Sequence, residues 1–171
     1  EDRRKFGLVL DHSVRDNIIL PNLERFTRHL FVQDAAALQT VRDTIRDLAI
    51  KTDGPDKLSR LLSGGNQQKI VIGKWLARDP RLLILDEPTI GVDIGAKSEI
   101  VETVRAMADR GMAVLVISSE LEELMAISDR ILVLHGGRIA QDMNRRDVAT
   151  EEELHHAIQG HSRPQAALGA A

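Results

Sequence analysis

Residues 82–88 read LLILDEP, an aliphatic run followed by two carboxylates and a proline. A run that is apolar on both faces is typical of a strand in a parallel sheet with helices on each side. Asp86 and Glu87 would then follow that strand at its carboxyl end, where α/β sheets bind ligands. Neighbouring strand residues point to opposite faces, so one carboxylate could bind Mg²⁺ while the other polarises a water molecule. Residues 86–88 (DEP), taken alone, also fit a strand that ends in solvent.

The sequence around this strand alternates between apolar strands and amphipathic helices. Residues 113–117 (AVLVI) form a second strand candidate, and residues 131–134 form a third that turns through Gly136-Gly137. Apolar residues at three- and four-residue spacing predict a helix over 95–109, between the first two strands. Strand–helix–strand repetition of this kind predicts a right-handed parallel α/β layer.

Most of the other segments are predicted to be helical. Apolar spacing indicates helices within 13–50, whereas the polar segment 51–60, which contains a Gly-Pro pair, is expected to be a surface connection. A shorter helix is expected over 120–127. Thr150 and Glu153 match a capping box that opens a last helix ending near residue 159.

The composition excludes several kinds of site. The 171 residues include no cysteine, which removes thiol nucleophiles, disulfides and cysteine-ligated metals. The aromatic residues are three phenylalanines and Trp75, so a surface that stacks bases is not expected. The formal charge of −3 argues against broad binding to nucleic acid. No apolar stretch approaches the roughly 20 residues needed to cross a bilayer.

A second chemical motif, LSGGNQQK, occupies residues 62–69. Ser63 and the two glycines after it precede a helix-forming run, which would leave unpaired N–H groups and a hydroxyl at a helix N-terminus. Such an end binds anions, and glycine allows a phosphate to approach the backbone closely. An ordinary serine cap after a glycine turn is the alternative, which the downstream position of Asp86 and Glu87 makes less favoured.

Three motifs in this order, LSGGNQQK, LLILDEPT and GVDIGAKSE, resemble the ATP-binding-cassette (ABC) ATPases. The wordings GGNQQK, PTIGVDIGAKSEI and VISSELEEL are most similar to the second cassette of the tandem ATPases of bacterial monosaccharide importers, the ribose, xylose, arabinose and galactose group. The resemblance spans roughly residues 1–140. It implies an α/β fold: a P-loop NTPase-like, three-layer parallel sheet, here an incomplete cassette, with an inserted helical subdomain.

The resemblance also implies boundaries along the chain. The end of a glutamine-loop region would occupy 1–12, and a helical subdomain carrying the signature motif would occupy 13–78. The catalytic α/β core, with its Walker B strand, D-loop and switch region, would occupy 79–142. A C-terminal helix and a loose tail would occupy 143–171.

The functional roles of the family carry over to the matching positions. Asp86 would bind Mg²⁺, Glu87 would orient and deprotonate the attacking water, and Asp93 would belong to the D-loop. The resemblance also implies that the signature contacts the γ-phosphate of ATP held by the opposite cassette. Catalysis would then be mainly positioning and charge stabilisation. The residues expected at the nucleotide sites are Leu62, Ser63, Gly64, Gly65, Asn66, Gln67, Asp93, Ser119 and Glu1.

The chain departs from the family pattern at three points. It contains no G-x-x-x-x-G-K-[ST] motif, so the phosphate loop is expected upstream of Glu1 and the chain alone should be inactive. Ser119 stands where the family has a switch histidine, although Ser119 to Glu122 also match a capping box. Glu1 stands at the position of the family's glutamine. We therefore expect asymmetry: a poorly active site of its own, and a signature that completes the site of the first cassette.

The resemblance implies ATP and Mg²⁺ as cofactors. The expected partners are another cassette in the same polypeptide, a polytopic membrane permease and, indirectly, a periplasmic sugar-binding protein, with no nucleic acid. The protein would lie peripherally at the cytoplasmic face of the bacterial inner membrane. Two alternatives stay open. One is a soluble ABC ATPase of translation or DNA repair, which would more often carry inserted arms or basic extensions. The other is an inactive fragment that only donates the signature surface.

Overall fold

The computed structural model describes residues 7–28 and 31–159, which fall into two compact units that divide after Ile117. The helices of the first unit are α1 (Val14–Ile19), α2 (Leu23–Phe26), α3 (Asp34–Asp47), α4 (Gly64–Leu76) and α5 (Ile94–Asp109). Its strands are β1 (Thr27–Arg28), β2 (Phe31–Val32), β3 (Leu82–Asp86) and β4 (Ala113–Ile117). The second unit contains α6 (Leu121–Ile127), β5 (Arg130–His135), β6 (Arg138–Asn144) and α7 (Glu151–Ile158).

Helix α1 begins the helical part of the first unit. The Ser13 hydroxyl accepts a hydrogen bond from the Asp16 N–H at 3.0 Å and so caps the helix. The buried Asn17 amide donates to the Val9 carbonyl and to the Ser59 hydroxyl, each at 3.0 Å. Helix α1 also packs against α3 and α4. These contacts attach the segment before α1 to the segment that leads into α4.

The helices predicted within residues 13–50 are confirmed, with one difference. Helices α1, α2 and α3 lie there, but a short antiparallel pair of strands, β1 and β2, interrupts them, with Thr27 opposite Val32. The segment 51–60 is a non-helical connection up to a 3₁₀ turn at Ser59–Leu61. The strand pair was not predicted because two-residue strands carry too few residues for a periodic signal.

Strands β3 and β4 form the predicted parallel pair, in a register that places Leu82 opposite Ala113 and Asp86 opposite Ile117. Burial alternates along β3: Leu83 is buried, whereas Leu82 is 53% exposed. We predicted cover on both faces of this run. In the part of the chain that the structure describes, one face is covered and the other exposes large apolar side chains: Leu82, Ile84, Leu115 and Ile117.

The second unit is built on an antiparallel hairpin of β5 and β6. Gly136 and Gly137 form its turn with φ angles of 57° and 75°, the left-handed region that a two-residue hairpin turn requires. The core beneath it joins Ile131, Val133, Val148, Leu154 and Ala157. The third predicted strand therefore exists, but it pairs antiparallel with β6. Within the described residues, no helix has the length and apolarity to cross a bilayer.

Candidate nucleotide site

The signature motif lies at the start of α4, and Ser63 is its N-cap in extended backbone conformation. The Ser63 hydroxyl oxygen accepts two hydrogen bonds from Asn66, one from Nδ2 at 2.8 Å and a longer one from the backbone N–H at 3.4 Å. A serine oxygen has two lone pairs and one O–H. Because both lone pairs are engaged within the motif, the hydroxyl hydrogen is left to donate outward. Ser63 is exposed, so an acceptor can reach it.

Asn66 and Gln67 are buried and bind the loop that precedes the helix. The Asn66 Oδ1 accepts from the Lys51 N–H at 2.8 Å. The Gln67 Nε2 donates to the carbonyls of Ser59 and Leu62, each at 3.1 Å. Both side chains stabilise the backbone that presents Ser63 and the two glycines. Their direct contact with a nucleotide stays a prediction.

The two carboxylates after β3 have different surroundings. Asp86 is the last residue of the strand and is exposed on the face that also carries Leu82 and Ile84. Glu87 is half-buried and leaves the strand with φ at 49°, which is rare for a residue other than glycine. Its N–H donates to the Ile117 carbonyl at 2.8 Å, which extends the ladder between the strands by one residue. Different directions for the two carboxylates stay a prediction.

The predicted D-loop residue caps the next helix. The Asp93 carboxylate accepts from the Ala96 N–H at 2.9 Å, at the first turn of α5. A Cβ atom added to Gly65 would lie 2.4 Å from the Ala96 Cβ. The first turn of α4 and the first turn of α5 are therefore in contact, so the predicted signature and the predicted D-loop, distant in sequence, are neighbours in the fold.

Helix α4 and strand β3 also enclose a cleft of about 520 Å³. Val71 and Trp75 line it from the helix, and Leu82 and Ile84 line it from the strand. Asp86 is the carboxylate of the lining. The lining is mixed, because apolar side chains lie beside Gln68, Arg78 and the predicted magnesium ligand.

Asp86 suits a magnesium ion of the kind that nucleotides carry. Among the described residues, no three or more histidine, cysteine, aspartate or glutamate side chains cluster as a metal site. Mg²⁺ in phosphate-transfer sites usually takes one or two carboxylates and completes its coordination with water and phosphate oxygens. One exposed carboxylate at a strand end fits such a shared coordination.

A carboxylate bound by two lysines lies on α5, and sequence reasoning missed it. The Glu99 oxygens accept from Lys51 at 2.8 Å and from Lys69 at 2.9 Å. The Lys69 side chain is only 3% exposed. Hydrogen bonds from Lys51 and then Lys69 lower the pKa of the Glu99 carboxyl to about 2. The sequence does show opposite charges on two helices, Lys69 on α4 and Glu99 on α5. They predict an ion pair only once α4 and α5 are known to be in contact.

Ser119 and Glu1 complete the set of predicted site residues. Ser119 is exposed and belongs to the second unit. The capping box predicted from it is wrong: the adjacent Ser118 hydroxyl accepts from the Glu120 N–H at 3.1 Å and donates to Glu123. The physical reason is that α6 begins at Leu121, so Ser119 lies outside the position that caps it. Glu1 lies outside the described residues.

Solved ATP-binding cassettes share this fold. The dimeric, post-hydrolysis state of the cassette MJ0796, bound to ADP and Pi, has a TM-score of 0.67 at 21% identity, covering 84% of this chain and 61% of that one. The ADP conformation of the cassette MJ1267 has the same TM-score and identity, covering 88% of this chain and 60% of that one. The fold is therefore that of an ATP-binding cassette.

A family model described as ABC transporter matches residues 3–90, and the chain belongs to that family. Similar curated proteins are named ribose import ATP-binding protein RbsA. The Bacillus licheniformis protein is 47% identical over 90% of this chain and 31% of its own length. The Geobacillus kaustophilus protein is 46% identical over 95% of this chain and 33% of its own length. The chain thus spans about a third of the length of these relatives.

Proposed function

We propose that this chain is part of the second cassette of an ATPase that powers the import of a monosaccharide of the ribose class. The observation that carries the proposal is the exposed Ser63 hydroxyl, which caps α4 and accepts hydrogen bonds from Asn66. The chain is also 47% identical to a protein named ribose import ATP-binding protein. The soluble ABC ATPases are less favoured, because a relative named for import matches 90% of the chain.

Catalysis would divide between the two motifs. Asp86 would hold Mg²⁺, which neutralises charge on the phosphates when bound. The Glu87 carboxylate would orient the attacking water and accept its proton. Asp86 ends the strand and Glu87 begins the left-handed turn after it, so the two groups would serve different atoms.

The signature would act on a nucleotide held by the opposite cassette. Ser63 would donate its hydroxyl hydrogen to the γ-phosphate, and the first N–H groups of α4 would add the positive end of the helix dipole. These donors are already oriented by Asn66, so little reorganisation would be needed when the cassettes close. Asp93, beside the signature, would lie at the same junction between cassettes.

The partners follow from this division of the site. The first cassette would supply the phosphate loop that faces this signature, and a polytopic permease would convert closure of the cassettes into transport. A periplasmic sugar-binding protein would act through the permease. The protein would be peripheral at the cytoplasmic face of the bacterial inner membrane. Ser119 and Glu87 would belong to the site that turns over poorly.

The test uses the full-length protein that contains this chain, reconstituted in vesicles with its permease. ATP hydrolysis and uptake of radiolabelled ribose, xylose, arabinose and galactose are measured together. We expect uptake of at least one of these sugars that depends on ATP, and loss of both hydrolysis and uptake in Ser63→Arg. Gln39→Arg is the matched control, because it places the same side chain on the exposed face of α3 and can still pair with Asp43.

Two results would overturn the proposal. ATP hydrolysis without sugar uptake by any permease encoded beside the protein would favour a soluble ATPase. Full activity in Ser63→Arg would remove the signature from the reaction.

A further inference from the structure

Two contacts hold the starts of α4 and α5 together, one steric and one ionic. The Gly65 backbone abuts Ala96 so closely that a Cβ would overlap it. One turn further along each helix, Lys69 of α4 binds Glu99 of α5 at 2.9 Å. The contact therefore has an apolar point at the first turns and an ionic point behind it. Two such points fix the direction of α4 relative to α5, which one point would not.

The ionic point also includes the loop that leads toward the signature. Lys51 donates to the second oxygen of Glu99 at 2.8 Å. Lys69 donates in addition to the Ala49 carbonyl at 3.2 Å. Ala49 follows the C-terminal end of α3 with φ at 47°. One carboxylate on α5 thereby holds a lysine on α4 and a lysine on the preceding loop.

The loop lysine is linked directly to the signature hydroxyl. The Lys51 backbone N–H donates to the Asn66 Oδ1 at 2.8 Å, and the Asn66 Nδ2 donates to the Ser63 Oγ at 2.8 Å. An amide that accepts on one side and donates on the other cannot rotate without losing both bonds. The position of Lys51 therefore sets the orientation of Asn66, and Asn66 sets which way Ser63 donates.

We propose that Glu99 is a positioning residue for the signature: through Lys51 and Lys69 it holds the Ser63 donor in register with the D-loop helix. This inference rests on the proposed function, in which Ser63 acts on the γ-phosphate across the cassette junction. Glu99 itself touches neither nucleotide nor metal. It keeps two separate motifs at one fixed distance, so that both reach the opposite cassette together.

The charge of Glu99 is essential to this function. Lys69 is almost completely buried, and a buried ammonium needs a partner of opposite charge. Replacing Glu99 with glutamine leaves that ammonium with a neutral partner, and α4 would shift to bring it toward water. A positioned site is sensitive to shifts of about 1 Å. Such a shift would lower kcat while leaving the affinity for ATP nearly unchanged.

The experiment measures ATP hydrolysis by the full-length protein with its permease, together with thermal unfolding, in three variants. Glu99→Gln removes the charge. The double variant Lys69→Met, Glu99→Gln also removes the buried ammonium and so should recover stability without restoring the link. Lys51→Met removes only the ion pair between Lys51 and Glu99. The Lys51 side chain is 72% exposed, so this variant should still fold.

We expect Glu99→Gln and the double variant to lower kcat about tenfold. KM for ATP should stay within about twofold, because the nucleotide is held mainly by the other cassette. Lys51→Met should lower kcat about threefold with unchanged unfolding temperature.

Two matched controls accompany these variants. Glu102→Gln changes an exposed carboxylate on the same helix. Lys57→Met changes another lysine of the same loop, which binds Asp53 at 2.6 Å. Both should leave kcat unchanged.

The outcomes separate this inference from the proposed function. If Ser63→Arg abolishes hydrolysis but Lys51→Met and the double variant keep the wild-type kcat, the positioning role is wrong and the signature stands. The positioning role is also wrong if Glu99→Gln lowers kcat together with the unfolding temperature and the double variant recovers both fully. If Ser63→Arg has no effect, the proposed function fails first.

Discussion

The signature end of α4 and the acidic end of β3 are both functional candidates, yet they are stabilised differently. At the signature, Ser63 and Asn66 bind one another, and Asn66 is bound in turn by Lys51. At the strand end, Asp86 is exposed beside an apolar face, and Ile84 on that face is 58% exposed. The Ser63 hydroxyl is thus held by residues of this chain, whereas Asp86, the proposed magnesium ligand, lies on a face that the described residues leave uncovered.

This difference indicates which parts of the chemistry are preorganised locally. Donors that stabilise charge must be fixed before the reaction, because reorganising them costs part of their benefit. A carboxylate that shares an ion with a nucleotide can take its final position when the ligand arrives. The predictions below test this contrast, beginning with the largest expected effect.

Ser63→Arg in the full-length protein should reduce ATP hydrolysis about 100-fold, as removal of one oriented donor does in other enzymes. Glu87→Gln should reduce it less, if this cassette completes a better site than its own. Steady-state hydrolysis by both variants is the measurement. Equal losses, or a larger loss in Glu87→Gln, would contradict the asymmetry and make the strand end the more important region.

Gly65→Ala should destabilise the fold by about 1–3 kcal/mol, because the new methyl group overlaps Ala96 and neither backbone can withdraw easily. Gly54→Ala is the control: no atom lies within 4 Å of the position its Cβ would take. Thermal or urea unfolding of the full-length protein compares them. An unchanged midpoint in Gly65→Ala would show that α4 and α5 are not packed together as described.

Asp93→Ala should cost about 1 kcal/mol, because the carboxylate caps α5 through the Ala96 N–H. Asp93→Asn should retain the cap and most of the stability, since its side-chain oxygen accepts the same bond. The comparison of both variants by unfolding isolates the cap from the charge. A loss in Asn as large as in Ala would mean that the charge, rather than the cap, stabilises the start of α5.

The smallest effect concerns pH. The pKa of Glu99 is lowered from 4.5 to about 2 by hydrogen bonds from Lys51 and Lys69. A lowered folded-state pKa stabilises the fold above the unfolded value and loses that contribution as pH falls from about 4.5 toward about 2. The stability difference between wild type and Glu99→Gln should therefore narrow as pH falls from about 4.5 toward about 2. A constant difference over that range would refute the lysine contacts.

Local patterns were sufficient to predict most of the elements. The strand over 113–117 and the helix over 95–109 agree with Ala113–Ile117 and with Ile94–Asp109. These elements have a clear apolar period and a stop at Gly111, which adopts φ of 93°. The Thr150 cap was also predicted and is confirmed, with the hydroxyl accepting from the Glu153 N–H at 3.3 Å.

The errors occurred where a choice depended on neighbours distant in sequence. Ser119 fits a cap by residue type, but α6 begins at Leu121, so its N-cap position falls on Glu120. The aliphatic run of β3 predicts burial on both faces, but burial depends on what packs against each face. The family roles predicted for Asp86 and Ser63 were inferred from the order of the motifs. That order can be read from the sequence alone.

The sequence by itself determined the family, the motif order and the boundaries of most elements, because caps, periodicity and motifs are properties of neighbouring residues. Only the tertiary structure decided that the signature and the D-loop are adjacent and that Glu99 binds Lys51 and Lys69. The physical reason is that packing of α4 on α5 brings together charges from positions 51, 69 and 99. Neither spacing nor composition records which helix faces will meet.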